Sequence, residues 1–212
     1  MDTFYILLVL GAVSGYLFGG INGAILLSKA VYGKDVRDYG SKNPGFTNFK
    51  RVFGNGLPTW CVMLIDIAKT IIPVLVFSIL FDKYCEMRQF GAIFTGFCCM
   101  LGHAYPVWYK FKGGKTFMTF ATTVWFVDLY MALIFLAVFA LFLFTIKFMS
   151  LSSMAASASC PISLLILGYD HLAVPIIALL CAVLLIWRHK ANIVRLIKKE
   201  ESKFHLFGKK KA

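Results

Sequence analysis

From Phe117 to Ile146 the chain reads FMTFATTVWFVDLYMALIFLAVFALFLFTI, and a single charge, Asp128, interrupts these thirty residues. About 20 apolar residues at 1.5 Å rise each carry a helix across the hydrocarbon core of a bilayer. The run is longer than one crossing needs, and it holds a carboxylate where charge in lipid is costly. A tight turn at Asp128, dividing the run into two helices, resolves both difficulties.

Four further apolar blocks, residues 4–27, 57–81, 90–108 and 161–187, accompany it. The first three fit single spans. The last contains Asp170 beside His171, and the same reasoning divides it in two. Five blocks thus predict seven helices. Composition agrees: 59% of the 212 residues are hydrophobic and 15% charged, with mean hydropathy +0.77, well above an ordinary soluble domain. The first basic residue, Lys29, follows the first apolar stretch, whereas a cleaved signal peptide has the reverse order. That stretch is expected to be a retained span.

Net charge is +12, and its distribution argues against nucleic acid as the partner. Six Lys or Arg lie in residues 29–51, three in 110–115, and a dense group in 188–211, all between or after apolar blocks. Basic loops face the cytoplasm, and such flanks attract anionic lipid. The charge-balanced segment 82–89 belongs outside. Seven helices place residues 147–159 inside with the other basic loops; five would place them outside. The expected fold is an all-α polytopic membrane protein with seven transmembrane helices, N-terminus outside and C-terminus cytoplasmic. It forms one domain over 1–212, with a basic cytoplasmic tail at about 198–212. The six cysteines show neither metal-ligand spacing nor a disulfide framework. No metal and no cofactor are expected.

Apolar helices leave four polar segments unexplained. The first is Gly40-Ser41-Lys42-Asn43-Pro44-Gly45-Phe46-Thr47-Asn48, followed by Arg51. Its small residues and donors suit an anion-binding loop, although Asn-Pro-Gly is also plain turn chemistry. The second is Gly102-His103-Ala104-Tyr105-Pro106-Val107, then Lys112-Gly113-Gly114-Lys115-Thr116. It lacks P-loop spacing, but two lysines around two glycines form a compact cation pair for phosphate oxygens; the alternative is a juxtamembrane anchor. The third, Ser150-Leu151-Ser152-Ser153, reads equally as a helix cap. In the fourth, Arg188 to Leu196 and on to Glu201, His189 and Asn192 share a helix face with Arg195 or Ile193.

In this order the four segments resemble the bacterial acyl-phosphate:glycerol-3-phosphate acyltransferases, small polytopic enzymes of phospholipid synthesis. The family's Gly-Ser-Gly-Asn-Pro-Gly-Ala-Thr-Asn matches Gly40 to Asn48, and its Gly-His-x-Phe-Pro-Val and Lys-Gly-Gly-Lys-Gly match Gly102 to Val107 and Lys112 to Thr116. Its Ser-Leu-x-Ser loop matches Ser150 to Ser153, and its Arg-His-x-x-Asn-Ile-x-Arg-Leu with Gly-x-Glu matches Arg188 to Glu201. Departures stand at Gly20-Ile21-Asn22, where the family has Gly-Ser-Ile-Pro, and at Phe46, which replaces an alanine. Lys42, Thr116 and Lys199 each replace a glycine.

The resemblance implies transfer of a fatty acyl group from acyl phosphate to the 1-hydroxyl of glycerol 3-phosphate, in the bacterial inner membrane. It places the active site toward the cytoplasm, within reach of enzymes that supply acyl phosphate. Substrate binding is expected from Ser41, Asn43, Gly45, Thr47, Asn48, Arg51, Lys112, Gly113, Gly114, Ser150, Ser153, Arg188, Asn192, Arg195 and Glu201. The catalytic candidates are Lys115, and His103 or His189 should a protein base be used. No Ser-His-Asp or Cys-His arrangement is visible, and the preferred acceptor for the hydroxyl proton is the substrate phosphate. These loops are expected to meet on one cytosolic rim. The competing class is a transporter of an anionic metabolite, which often carries inverted repeats; none is seen.

Overall fold

The computed structural model describes residues 2–169 and 171–204. Every regular element among them is helical, and the chain divides into two compact units, Met1–Asp128 and Leu129–Ala212.

The first unit holds α1 (Asp2–Gly19), α2 (Gly23–Tyr32), α3 (Phe46–Phe53), α4 (Leu57–Cys85), α5 (Arg88–Ala104) and α6 (Phe117–Val127). Helices α1, α4 and α5 pack against one another, α6 against α4 and α5, and the short α2 and α3 against α4. Leu7, Phe77 and Phe81 form the core at one place, enclosed by Phe4, Leu80 and Phe90. At another, Ile25, Val36, Phe49 and Val62 bury the amphipathic face of α3 beneath the loop that precedes it. Ile6, Val9, Leu64, Ile72 and Ile79 instead point outward. Apolar helix faces left exposed on this scale are what a lipid-facing surface requires.

The second unit holds α7 (Leu129–Thr145), α8 (Met149–Ile166), α9 (Ala173–Arg188) and α10 (Lys190–Ile197). Helix α8 packs on both α7 and α9.

The chain breaks at Asp128 as its charge requires, with that residue extended (φ −158°, ψ 136°) between α6 and α7. The fifth block is also divided: α8 ends at Ile166 and α9 begins at Ala173. Asp170, the acid that motivated the division, lies outside the described residues, as do residues 205–212 of the basic tail. Four stretches are long and apolar enough to cross a bilayer: Asp2–Tyr32, Leu57–Cys85, Arg88–Tyr109 and Met149–Ile166. Helices α9 and α10, bent by 59°, make a fifth if taken together. At 1.5 Å per residue, the 11-residue α6 reaches only about 17 Å, roughly half the apolar core.

Two details go beyond the expectations. The first block lies within one candidate span, Asp2–Tyr32, but not as one continuous helix. It breaks after Gly19, where Asn22 turns extended and its side-chain oxygen accepts the Ile25 N–H at 3.0 Å, capping α2. Residues 147–159 are not a loop either. Helix α8 starts at Met149 and takes in Ser150 to Ser153, and the buried hydroxyls of Ser152 and Ser153 are satisfied within it by donating to the Phe148 and Met149 carbonyls.

Candidate active site

In the first unit, the segment before α3 is organised by one buried amide. Asn48 Oδ1 accepts the Ser41 N–H at 2.8 Å, and its Nδ2 donates to the Val36 and Tyr39 carbonyls at 3.2 and 3.0 Å. Asn48 therefore closes the loop. Gly40 sits at φ +59°, where a side chain would run into that same amide oxygen. Around this frame Ser41, Thr47 and Arg51 are exposed, and Asn43 and Gly45 are half-buried. Asn22 Nδ2 donates to the Pro44 carbonyl at 3.1 Å, fastening the loop to the start of α2. Arg37 is held by both oxygens of Asp35, at 2.9 and 2.7 Å, and its Nη1 donates to the Tyr109 carbonyl at 3.1 Å. The Arg37 guanidinium keeps the Asp35 carboxyl well below the usual carboxylate range. This tie joins the loop to the second motif.

That motif reverses sharply. Helix α5 stops before Pro106, and Lys110 and Phe111 both take left-handed backbone at φ 56° and 58°. The chain then folds back so that the Gly113 N–H donates to Ala104 O at 3.2 Å and the Gly114 N–H to His103 O at 3.0 Å. A side chain at Gly113 would meet the His103 carbonyl, and one at Gly114 the His103 ring at Nε2. The glycines thus permit close approach and turn their N–H groups inward, leaving the flanking Lys112 and Lys115 to supply charge. Lys112 is exposed and Lys115 half-buried.

Beneath this turn lies a group not singled out in the sequence. Asp66 and Lys69, one turn apart on α4, are each only 3% exposed. Lys69 Nζ lies 2.7 Å from Asp66 Oδ1, an ion pair whose alignment falls short of a directed hydrogen bond. The same ammonium donates to the Ile21 carbonyl at 2.6 Å and meets His103 Nδ1 at 2.8 Å. The signal was available: Asp66-Ile67-Ala68-Lys69 is an ionisable pair at i, i+3 spacing inside an apolar block, a functional candidate by default.

In the second unit, Glu201 is the hub. Its Oε1 accepts from Asn192 Nδ2 at 2.6 Å and Ser150 Oγ at 2.8 Å, and its Oε2 accepts from Arg195 Nε at 2.7 Å. Burial pushes the Glu201 carboxyl up, but hydrogen bonds from Asn192, Arg195 and Ser150 together hold it below its ordinary value. The Phe204 N–H donates to Lys147 O at 2.7 Å, drawing the chain beyond α10 across the start of α8. His189 is buried at the bend between α9 and α10, its Nδ1 2.8 Å from the Leu185 carbonyl. Arg188 precedes it in the last turn of α9. Ser153 is buried one turn along α8 from Ser150. The predicted residues therefore gather into a cluster within each unit: Ser41 to Arg51 with His103 to Lys115, and Ser150 and Ser153 with Arg188 to Glu201.

Comparison with known proteins agrees with what these clusters suggest. Residues 9–199 match the family described as glycerol-3-phosphate acyltransferase. The glycerol-3-phosphate acyltransferase of Staphylococcus carnosus (strain TM300) is 36% identical over 201 residues, covering 93% of this chain and 98% of that protein. The glycerol-3-phosphate acyltransferase of Pelagibacter ubique (strain HTCC1062) is 33% identical over 197 residues, with 92% and 97% covered. The crystal structure of PlsY (YgiH), an integral membrane glycerol 3-phosphate acyltransferase, in its glycerol 3-phosphate form superposes with a TM-score of 0.82 at 32% identity, covering 94% of this chain and 96% of that one. Its lysophosphatidic acid form superposes at 0.77. With its motifs in order and matched over nearly its full length, the chain belongs to the glycerol-3-phosphate acyltransferase family.

Proposed function

We propose that the whole chain, residues 1–212, is one acyltransferase that moves a fatty acyl group from acyl phosphate to the 1-hydroxyl of glycerol 3-phosphate, yielding lysophosphatidic acid and inorganic phosphate. The hydroxyl oxygen attacks the acyl carbon, the bond to the phosphate oxygen breaks, and the hydroxyl proton leaves with that phosphate. The leaving group is already good, so the protein's task is to position two anions and stabilise developing charge. The observation that carries this function is the Lys112–Lys115 turn seated on buried His103. Its two lysines stand at fixed spacing and are tied through Tyr109 and Arg37 to the segment that bears Ser41, Thr47 and Arg51. Arg188, His189, Asn192, Arg195 and Ser153 supply donors and charge in the second unit.

Seven membrane helices, an outside N-terminus and a cytoplasmic C-terminus complete the proposal, in a bacterial inner membrane where enzymes supplying acyl phosphate have access. The breaks at Asp128 and between Ile166 and Ala173 support seven. Acyl phosphate as donor is supported by the number of cations, which suits two phosphorylated substrates. Incubating purified protein with labelled glycerol 3-phosphate and, separately, acyl phosphate, acyl-CoA or acyl carrier protein tests it. Lysophosphatidic acid is expected with acyl phosphate; product only with a thioester donor refutes that donor. Membership of this family disfavours the transporter alternative, and vesicle uptake of glycerol 3-phosphate without product would revive it.

A further inference from the structure

The Asp66–Lys69–His103 cluster carries a consequence for the chemistry of the turn above it. An ammonium has three N–H donors and no lone pair. Lys69 Nζ has three partners within 3 Å: the acceptors Ile21 O and His103 Nδ1, and Asp66 Oδ1 as its ion-pair partner. A 2.8 Å contact between an ammonium and a ring nitrogen requires that nitrogen to offer its lone pair, so Nδ1 carries no proton and the proton of the ring sits on Nε2. A proton on Nδ1 would set two N–H groups against each other. Asp66 Oδ1, 3.8 Å from Nδ1, neutralises the ammonium rather than bonding the ring. The Nε2 edge is the edge against which Gly114 packs. His189 is held the opposite way: its Nδ1 faces a carbonyl, which only accepts, so there the proton is on Nδ1.

We propose that Lys69, held by Asp66 and the Ile21 carbonyl, is a positioning residue that locks His103 as the neutral Nε2–H tautomer and thereby sets the Lys112–Lys115 turn. In this state neither nitrogen of His103 has a lone pair for the substrate hydroxyl proton, so His103 is not the base. The part played by the turn rests on the phosphate-holding function proposed above; the tautomer does not.

Ring 15N spectra of histidine-labelled protein in detergent at neutral pH, assigned with His103→Gln, measure the tautomer directly in the intact chain. An Nε2–H signal for His103 is expected; an Nδ1–H ring or an imidazolium overturns the lock. Lys69→Met is expected to give a mixture of tautomers and to lower kcat/KM about 100-fold, chiefly through KM. Should that variant fail to fold, the His103 series decides. His103→Gln keeps an N–H donor near the Nε2 position but has no basic nitrogen, so it should stay within about tenfold of the parent, while His103→Ala loses about 100-fold. Equal loss in both, through kcat alone, makes His103 a base and refutes the proposal. An Nε2–H ring with unaltered kinetics in folded Lys69→Met refutes the positioning role and leaves the acyltransferase function intact. Absence of product from the parent protein refutes that function and leaves the tautomer result standing.

Discussion

Lys42, Thr116 and Lys199 stand where the family carries glycine, and their backbones take φ of 58°, 65° and 59°. Left-handed backbone costs an L-residue roughly 1–2 kcal/mol, which explains the family's glycines as conformational rather than chemical. Thr116 is the most burdened: it is β-branched, fully buried, and its hydroxyl has no hydrogen-bond partner. Glycine there restores chain entropy to the unfolded state, an opposing effect of roughly 0.5–1 kcal/mol. Thr116→Gly is therefore expected to stabilise the protein by about 1 kcal/mol, raising Tm by about 2–4 °C in detergent; a lower Tm would show that packing of the side chain outweighs the strain. Asn48 is the converse case, a residue without which its loop has no shape. Asn48→Ala leaves the Ser41 N–H without its acceptor and strips the Val36 and Tyr39 carbonyls of one of their two donors, the Tyr39 and Lys42 N–H groups remaining. A loss of about 2–3 kcal/mol is expected in chemical unfolding, together with a raised KM for phosphorylated substrate.

Two elements depend on single groups. The turn after Pro106 works only because nothing projects from Gly113 or Gly114 toward His103. Gly114→Ala must push the imidazole or the turn aside, and a displacement near 1 Å costs about 100-fold in rate. Steady-state kinetics on the folded variant should show that loss; activity within threefold of the parent would place the lysines' role elsewhere. Helix α10 and the segment after it hang on Glu201. Its folded carboxyl lies below the unfolded value of about 4.3, so its stabilisation is complete above that value and is lost as pH falls through the folded one. Acid unfolding of the parent should show this limb, and Glu201→Gln should lack it and be less stable by about 2 kcal/mol at pH 7. Equal acid profiles would mean that the hub contributes nothing through charge.

At the scale of the molecule, the number of crossings decides on which side of the membrane each loop works. Lys147, exposed between α7 and α8, distinguishes seven spans from five. Lys147→Cys in inside-out and right-side-out vesicles is expected to react with an impermeant maleimide only from the cytoplasmic side. Labelling from the outside alone would contradict the proposed topology. The short α6 belongs to this scale too. At 11 residues it is below the usual length of a span, and the apolar pattern of residues 117–146 showed where the chain turns without showing how unequal the two helices are.

What the sequence determined by itself follows from composition and local chemistry. Long apolar runs demand helices in lipid, a lone carboxylate in such a run demands a break at Asp128, and the order of polar motifs identifies the family. The roles of individual residues were decided by the tertiary structure, because a motif does not reveal which way its hydrogen bonds run. Asn48 reads as a ligand-binding amide and proves to be the clasp of its own loop. Gly113 and Gly114 read as part of a substrate-binding turn, and the tertiary structure shows how that turn is held, by their N–H groups donating to the Ala104 and His103 carbonyls. Ser150 to Ser153 read as a loop and form the first turn of α8. Asp66 and Lys69, unremarked in an apolar block, balance each other's charge on α4, but Lys69 meets His103 only when α4 and α5 pack, a contact that no spacing within one segment reveals.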